Sequence, residues 1–353
     1  MANEGIDPDK DIVYACYSGK AVQVLIDKGN TNAITLHKLL YDAIPMSDGT
    51  FYFDPKPPHS LPYKVIICDE VSMVPEEFIE LLALQDAYFL FMGDPGQLDP
   101  PKGQRNGLLD YPHVFLEDIM RQAQDSGIIQ LSMLIREGKS FKNFKSEEAM
   151  ALPQKELVTG ALLWADEILC STNATRININ SQIRELKGYT KPIEENEKLI
   201  CLNNEWDISS NKANALTNGT VGTLKNVFES FQRYPNYLQV KNNYIPTICG
   251  VFDSDNGDCF GNLVLDKHCI LTGEPYIDDK TRYKINKNKK YHNTIPLSFT
   301  YAYCLTAWKA QGSEWDKILG IEEGFPWDRK EHKKYLYTLV TRASKKVVLY
   351  TKD

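Results

Sequence analysis

Val65-Ile-Ile-Cys68 is an uninterrupted apolar run that stops at Asp69 and Glu70. A run apolar on both faces predicts a parallel strand buried between helix layers. A second such run, Ala87-Tyr-Phe-Leu-Phe-Met92, enters Gly93-Asp94-Pro95-Gly96-Gln97-Leu98-Asp99-Pro100-Pro101. Between them Pro75 to Gln85 is amphipathic, with proline where a helix start tolerates it. This is a βαβ pattern whose two polar loops open on one sheet edge. Upstream, Asp11 to Leu25 reads as a short strand, a Ser18-Gly19 turn and a helix. Ser47 to His59 alternates aromatic and polar residues before a Pro-rich end, predicting a hairpin. Downstream, Gly127 to Gly138 is an amphipathic helix. Glu167 to Cys170 is a strand that breaks into a helix capped by Ser171 or Thr172. A strand-rich stretch then extends to about Asn293, with tight turns at Asn218-Gly219 and Asn256-Gly257, and Val347 to Tyr350 is a last strand.

The chain has 353 residues, enough for two domains with cores of their own. It is 42% hydrophobic and 25% charged, ordinary values for a globular protein. No run approaches the length of a membrane span, and the polar start is no signal peptide. Eight cysteines without a C-x-x-C pair support neither a zinc site nor a disulfide framework. Cys68, Cys170 and Cys304 lie in apolar runs and are expected as buried thiols in a reducing cytoplasm. The net charge of −7 argues mildly against a nucleic-acid partner, although a local basic groove with stacking aromatics overrides net charge. Lys280 to Lys290, with Lys, Arg and Tyr interleaved, reads equally as a DNA-backbone contact or as a solvated strand edge. Asp253 to Asp258 resembles a calcium loop only superficially, because the glycine is displaced and Val264 stands where the last ligand is required.

The chemistry concentrates at the ends of the two apolar runs. Acids at the carboxyl end of a parallel strand sit where open α/β sheets hold ligands. In nucleotide hydrolases the first acid of such a pair helps hold Mg²⁺, and the second can take a proton from the attacking water. Gln97 is the polar group best placed to sense a γ-phosphate. Gly19-Lys20 invites reading as a phosphate loop, but G-x-x-x-x-G-K-[ST] requires glycine where Tyr14 stands and a hydroxyl where Ala21 stands.

Cys68-Asp-Glu-Val-Ser72 followed by Gly93 to Pro101 resembles motifs II and III of superfamily 1 DNA helicases, with the RecD-like and Dda-like 5′→3′ branch nearest. Other segments extend the resemblance in order. Cys16 to Val22 resembles motif Ia, with Tyr17 replacing its proline, and Thr35 to Leu40 resembles motif Ib. Leu116 to Ala123 resembles motif IV. Glu167 to Asn180, Leu199 to Asp207 and Leu216 to Leu224 follow the pattern of the second domain. Phe299 to Trp315 resembles motif V, with Cys304 for alanine and Trp308 for histidine, and Tyr335 to Ser344 resembles motif VI.

The resemblance implies an α/β fold of two RecA-like domains. Residues 1–117 would be the first, incomplete at its N-terminus and with a hairpin insertion at about 46–62. Residues 118–353 would be the second, with a β-rich small-barrel insertion at about 222–293. It implies ATP and Mg²⁺ as cofactors: Asp69 on the metal, Glu70 on water, Gln97 on the γ-phosphate, and Arg121 and Arg342 as arginine fingers. Gly93, Asp94, Gln311, Gly312 and Ser313 would contact nucleotide. Ser18, Gly19, Lys20, Thr35, His37, Phe51, Phe53, Thr306, Trp308 and Lys309 would contact DNA, with Phe51 or Phe53 as a wedge at the duplex junction. The implied activity is a single-stranded-DNA-stimulated ATPase and helicase, serving replication, recombination or repair in the cytoplasm of a bacterial or phage-infected cell. A hydrolysis-deficient remnant that binds DNA or protein is the competing expectation. About ten residues precede the motif Ia strand, too few for the ~30 of a βαβ unit. The phosphate-binding Walker A segment is therefore expected upstream of Met1 or encoded separately.

Overall fold

The computed structural model describes residues 5–45, 51–116, 126–212, 215–324 and 329–352. Two compact units emerge: Met1–Asp42, Pro55–Thr172 and Leu305–Asp353 form the first, Ala43–Asp54 and Asn173–Cys304 the second. The first unit opens with β1 (Ile12–Cys16), α1 (Gly19–Asp27), β2 (Ala33–Thr35) and α2 (Leu36–Leu40). The chain then forms a two-stranded ribbon, β3 (Tyr41–Pro45) and β4 (Phe51–Pro55), most of which falls in the second unit; its first strand precedes the Ser47 to His59 stretch expected as the hairpin. Then come β5 (Val65–Asp69), α3 (Glu76–Ala83) and β6 (Tyr88–Phe91), the βαβ unit read from the two apolar runs.

These strands form a parallel sheet in the order β2-β1-β5-β6. The register sets Cys16 beside Asp69 and Cys68 beside Phe91, so the loops after β1, β5 and β6 leave from one edge. Val13, Ala15, Ile66, Cys68, Val71, Phe78 and Leu82 form its core. β6 lies at the rim of the sheet, and Tyr88 there is 73% exposed and Leu90 50%. Parallel sheets are normally covered on both faces and seldom show such an edge.

The remainder of the first unit carries a second parallel sheet. Its elements are α4 (Gly127–Glu137), β7 (Ala149–Pro153) and β8 (Glu167–Cys170), before the chain leaves for the second unit. Within that unit run α5 (Asn173–Leu186), β9 (Glu197–Cys201), β10 (Glu205–Ser209), β11 (Ala215–Leu216), β12 (Val221–Arg233), β13 (Tyr244–Ser254), β14 (Cys259–Asp266), α6 (Lys267–Thr272), α7 (Asp279–Asn286) and β15 (Phe299–Tyr301). The chain then returns through β16 (Cys304–Thr306), α8 (Ala307–Ala310), β17 (Trp315–Ile321), α9 (Arg329–Val340) and β18 (Ala343–Thr351). The second sheet has the order β16-β8-β17-β18-β7, with β8, β17, β18 and β7 parallel. Helices α4 and α9 pack together beside it.

In the second unit, antiparallel strands order as β14-β13-β12-β9-β15 around Phe252, Phe260 and Phe299. The sheet curls back on itself, because Leu297 pairs with β14 through Leu297 N to Val264 O (2.8 Å) and Asp266 N to Leu297 O (2.9 Å). This small barrel takes in β9 and β15 as well as the strands expected within 222–293. The run from Lys280 is helical in α7, not a strand edge.

Two RecA-like α/β sheets with a β-rich small barrel are thus present. The proposed division at residue 117/118 falls among residues outside the description, and both parallel sheets sit in the first compact unit. Cys68, Cys170 and Cys304 are fully buried thiols. No described helix is long and apolar enough to cross a membrane.

Candidate nucleotide site

The site grows from the carboxyl ends of β5 and β6. After Asp69 the backbone turns through Glu70 in the left-handed region (φ 55°), and Glu70 N donates to Asp69 Oδ1 at 2.8 Å. A three-residue 3₁₀ turn, Val71–Met73, follows and is fixed to the neighbouring strand by Val71 N to Met92 O (2.9 Å). Gly93 lies against that turn: a Cβ there would come within 2.9 Å of Val71 Cγ1 and 3.1 Å of Val71 N. No larger residue fits without moving the backbone that carries Glu70. Asn106 holds the turn from the other side, donating to Val71 O (2.9 Å) and Val74 O (2.6 Å). It is a buried residue the motif reading missed.

The loop after β6 is folded by Asp94, whose Oδ1 accepts from Gly96 N at 2.8 Å. The same carboxylate accepts from Tyr337 Oη on α9 at 2.6 Å. Three further contacts tie this loop to the C-terminal segment. Leu98 N donates to Thr338 Oγ1 (3.1 Å), Gln311 Nε2 donates to Leu98 O (3.2 Å), and Lys334 Nζ meets Asp99 Oδ1 at 2.5 Å. Asp99 also accepts from Arg105 Nε at 3.2 Å, while Arg105 makes a two-pronged contact with Asp110 at 2.8 and 2.6 Å. Burial and Asp94 together raise the Tyr337 phenol above its usual range, so it stays a donor.

Arg342 follows α9 and is buried, with Nη1 donating to Ser313 O (3.4 Å) and Nη2 to Thr341 Oγ1 (3.2 Å). Desolvation lowers its pKa, while Glu70, Tyr337, Glu314 and Asp94 act to raise it; a guanidinium keeps its charge regardless. Glu70 is shifted upward, first by burial, with Asp69 and Asp94 adding to the effect and Arg342 opposing it. A carboxyl with a raised pKa beside a buried cation is what a general base requires.

The structure therefore brings Asp69, Glu70, Asp94, Gln97, Gln311, Ser313 and Arg342 into one neighbourhood. Within it Ser72 Oγ, Gln97 Oε1, Gln311 Oε1, Ser313 Oγ and Arg342 Nε are buried without a hydrogen-bond partner among the described residues. Buried polar atoms are nearly always satisfied, and orphans gathered in one place call for a polar ligand. A phosphate group would supply acceptors for Arg342 Nε and the Ser72 and Ser313 hydroxyls. Among the described residues no three His, Cys, Asp or Glu side chains group to hold a metal by themselves. Mg²⁺ is ordinarily held by one or two carboxylates together with phosphate, so the site fits an ion that arrives with nucleotide.

Two family models match by sequence: an AAA domain over residues 1–152 and a UvrD-like helicase C-terminal domain over residues 301–350. The C-terminal segment is thus similar to a UvrD-like helicase domain. A structure of two coordinating Pif1 helicases on forked double-stranded DNA shares the fold at a TM-score of 0.51, with 15% identity over 99% of this chain and 83% of that one. Pif1 from Candida albicans is 15% identical over 98% of this chain and 91% of its own, with a TM-score of 0.48. Bacteroides Pif1, in a complex with ADP-AlF3 and single-stranded DNA, is 15% identical over 99% and 90%, also at 0.48.

The remaining expected site residues are distributed as follows. Ser18 caps α1 through Ala21 N (3.1 Å), Gly19 is in the first turn, and Lys20 Nζ stands 5.1 Å over the Trp315 ring. Thr35 caps α2 through Lys38 N (3.2 Å). His37 packs edge-on to Phe78 (4.8 Å) and beside Tyr17 (5.5 Å), and burial lowers its pKa, leaving it neutral at pH 7. Thr306 is buried at the start of α8, which also carries Trp308 and Lys309. Gly312 has φ +73° and lies close to Ala21. Phe53 is on the exposed β4 ribbon, and the Phe51 side chain and all of Arg121 lie outside the described residues. Glu323, also missed, accepts from Ser171 Oγ (2.6 Å), Thr172 N (3.0 Å) and Thr172 Oγ1 (2.9 Å).

Proposed function

We propose that this chain couples ATP hydrolysis to 5′→3′ movement on single-stranded DNA and unwinding at a duplex junction. The observation that carries the reading is the cluster of buried, unpartnered polar atoms around Glu70 and Arg342. Mg²⁺, when bound, would screen phosphate charge, with Asp69 as its protein ligand. Glu70 would accept the proton of the attacking water, Gln97 would orient that water, and Arg342 would stabilise charge on the transferred phosphoryl group, with Arg121 as the second cation. The hydrogen bonds joining the Asp94–Asp99 loop to α9 would let events at the phosphate bias the C-terminal segment that carries Thr306, Trp308 and Lys309.

The exposed rim of β6 supports the expectation of a phosphate-binding segment. A further parallel strand there would cover Leu90 and Met92, and a loop leaving its carboxyl end would open beside Asp69 and Gln97. Such a strand–loop–helix, upstream or separately encoded, is the proposed partner. The test is DNA-stimulated ATP turnover, measured on the chain alone and joined to a strand–loop–helix bearing G-x-x-x-x-G-K-[ST]. Turnover that depends on the added segment and disappears in Glu70→Gln supports the reading. DNA binding without turnover in either form would favour the hydrolysis-deficient binding module instead.

A further inference from the structure

We propose that α7 and the neighbouring Tyr237 form an auxiliary site for single-stranded DNA, resting on the helicase reading but apart from every residue assigned above. Residues 280–290 carry six cations and no acid, in a chain whose net charge is −7. Because the segment is helical, Lys280, Tyr283, Lys284 and Lys287 fall at i, i+3, i+4 and i+7 and share one face. Ile285, on another face, is buried with Tyr234, Leu238, Val240, Ile245 and Ile277, which anchors the helix to the β12–β13 ribbon. The cationic face is thus the one left outward by packing.

Two contacts set aromatic surface beside it. Lys284 Nζ donates to Gln239 Oε1, and Asn288 Nδ2 donates to Tyr237 Oη at 3.1 Å. Tyr237 is 63% exposed and Tyr283 46%, with Lys287 Nζ 5.8 Å from the Tyr283 ring centre. Two acids lie at the helix start, where Asp278 is occupied in capping through Thr281 N (2.7 Å) and Asp279 stands in the first turn, while Glu205 interacts with Arg282, off the lysine face. Lys280, Lys284 and Lys287 form no ion pair with a carboxylate among the described residues. Cations alone would suit any polyanion. Exposed rings among them suit unpaired bases, since stacking tolerates every base and phosphates follow the lysines. A duplex hides its base faces and an acidic peptide has none, so single-stranded DNA is the occupant the chemistry selects.

The experiment is anisotropy of a labelled oligothymidine with the full chain at several salt concentrations, for the wild type, Lys280→Ala/Lys284→Ala/Lys287→Ala and Tyr237→Ala/Tyr283→Ala. Lys284 is half-buried and the other positions are exposed, and circular dichroism checks that the folds match. The lysine variant is expected to lose affinity and to flatten the log–log salt dependence by about 2, at about 0.7 per phosphate contact. The tyrosine variant is expected to bind about tenfold or more weaker with an unchanged salt slope, the scale of one stacked base. Wild-type affinity and slope in both variants would overturn the site while leaving the helicase reading intact. A loss confined to the lysine variant, matched by competition from polyglutamate, would replace it with an unspecific cationic surface. Failure of the wild type to bind the oligonucleotide at all would defeat both.

Discussion

The link between Asp94 and Tyr337 joins residues 243 positions apart in sequence and holds the loop after β6 onto α9. Tyr337→Phe removes only the hydroxyl, leaving the ring that packs beside Gly96, where a Cβ would lie 3.1 Å from Tyr337 Cε1. A hydrogen bond to a carboxylate is worth about 1.5–3 kcal/mol. Tyr337 is 9% exposed but Asp94 is half-buried, so water partly compensates the carboxylate and about 2 kcal/mol is the reasonable expectation. In a unit of about 200 residues that lowers the midpoint of thermal unfolding by roughly 4–8 °C. Asp94→Asn weakens the same bond, so the double variant should fall short of the sum of the single effects by about 1–2 kcal/mol. Scanning calorimetry at pH 7 on the four proteins closes the cycle. Additive losses within about 0.5 kcal/mol would refute the reasoning, because they would mean that the hydroxyl and the carboxylate do not share a bond.

Further expectations follow from the same geometry. Asn106→Leu strands the carbonyls of Val71 and Val74 and should cost about 2–4 kcal/mol, read as a lowered unfolding midpoint; a change below about 0.5 kcal/mol would mean water replaces the amide. Gly93→Ala crowds Val71 and should destabilise by about 1–3 kcal/mol while reducing turnover more than DNA affinity. His37 gives a pH signature. Its pKa is lower folded than unfolded, so the unfolded chain binds more protons and the wild type loses stability as pH falls through the unfolded value near 6.5. His37→Phe should lose less than the wild type between pH 7.5 and 5.5, and parallel profiles would show that the ring is not buried as described.

Much of this architecture was legible in the residues because its signals are local. Val65 to Cys68 is apolar on both faces and becomes the central β5; Pro75 to Gln85 has helical period and becomes α3. The order of short polar motifs put Asp69 and Gln97 at one sheet edge, since a parallel sheet sends the loops after its strands the same way, while Arg342 comes from the amino end of β18 in the other sheet. What stayed hidden depends on distant pairing. Tyr337 meets Asp94, Lys334 meets Asp99 and Glu323 meets Ser171, and no local pattern marks any of them. The lysine-rich run gave no apolar period to separate helix from strand, because one buried residue, Ile285, is enough to anchor it. The barrel was underestimated at both ends, as β9 and β15 are short strands recruited from flanking segments.

The central claim is that Glu70 acts on water bound against nucleotide. Its most direct test is single-stranded-DNA-stimulated ATP hydrolysis by the chain supplied with a phosphate-binding strand–loop–helix, beside the same protein carrying Glu70→Gln. The account predicts turnover that falls at least a hundredfold in the variant while DNA affinity is retained, the scale expected for loss of a general base. Equal turnover in both proteins would contradict it, and so would nucleotide left unhydrolysed by either.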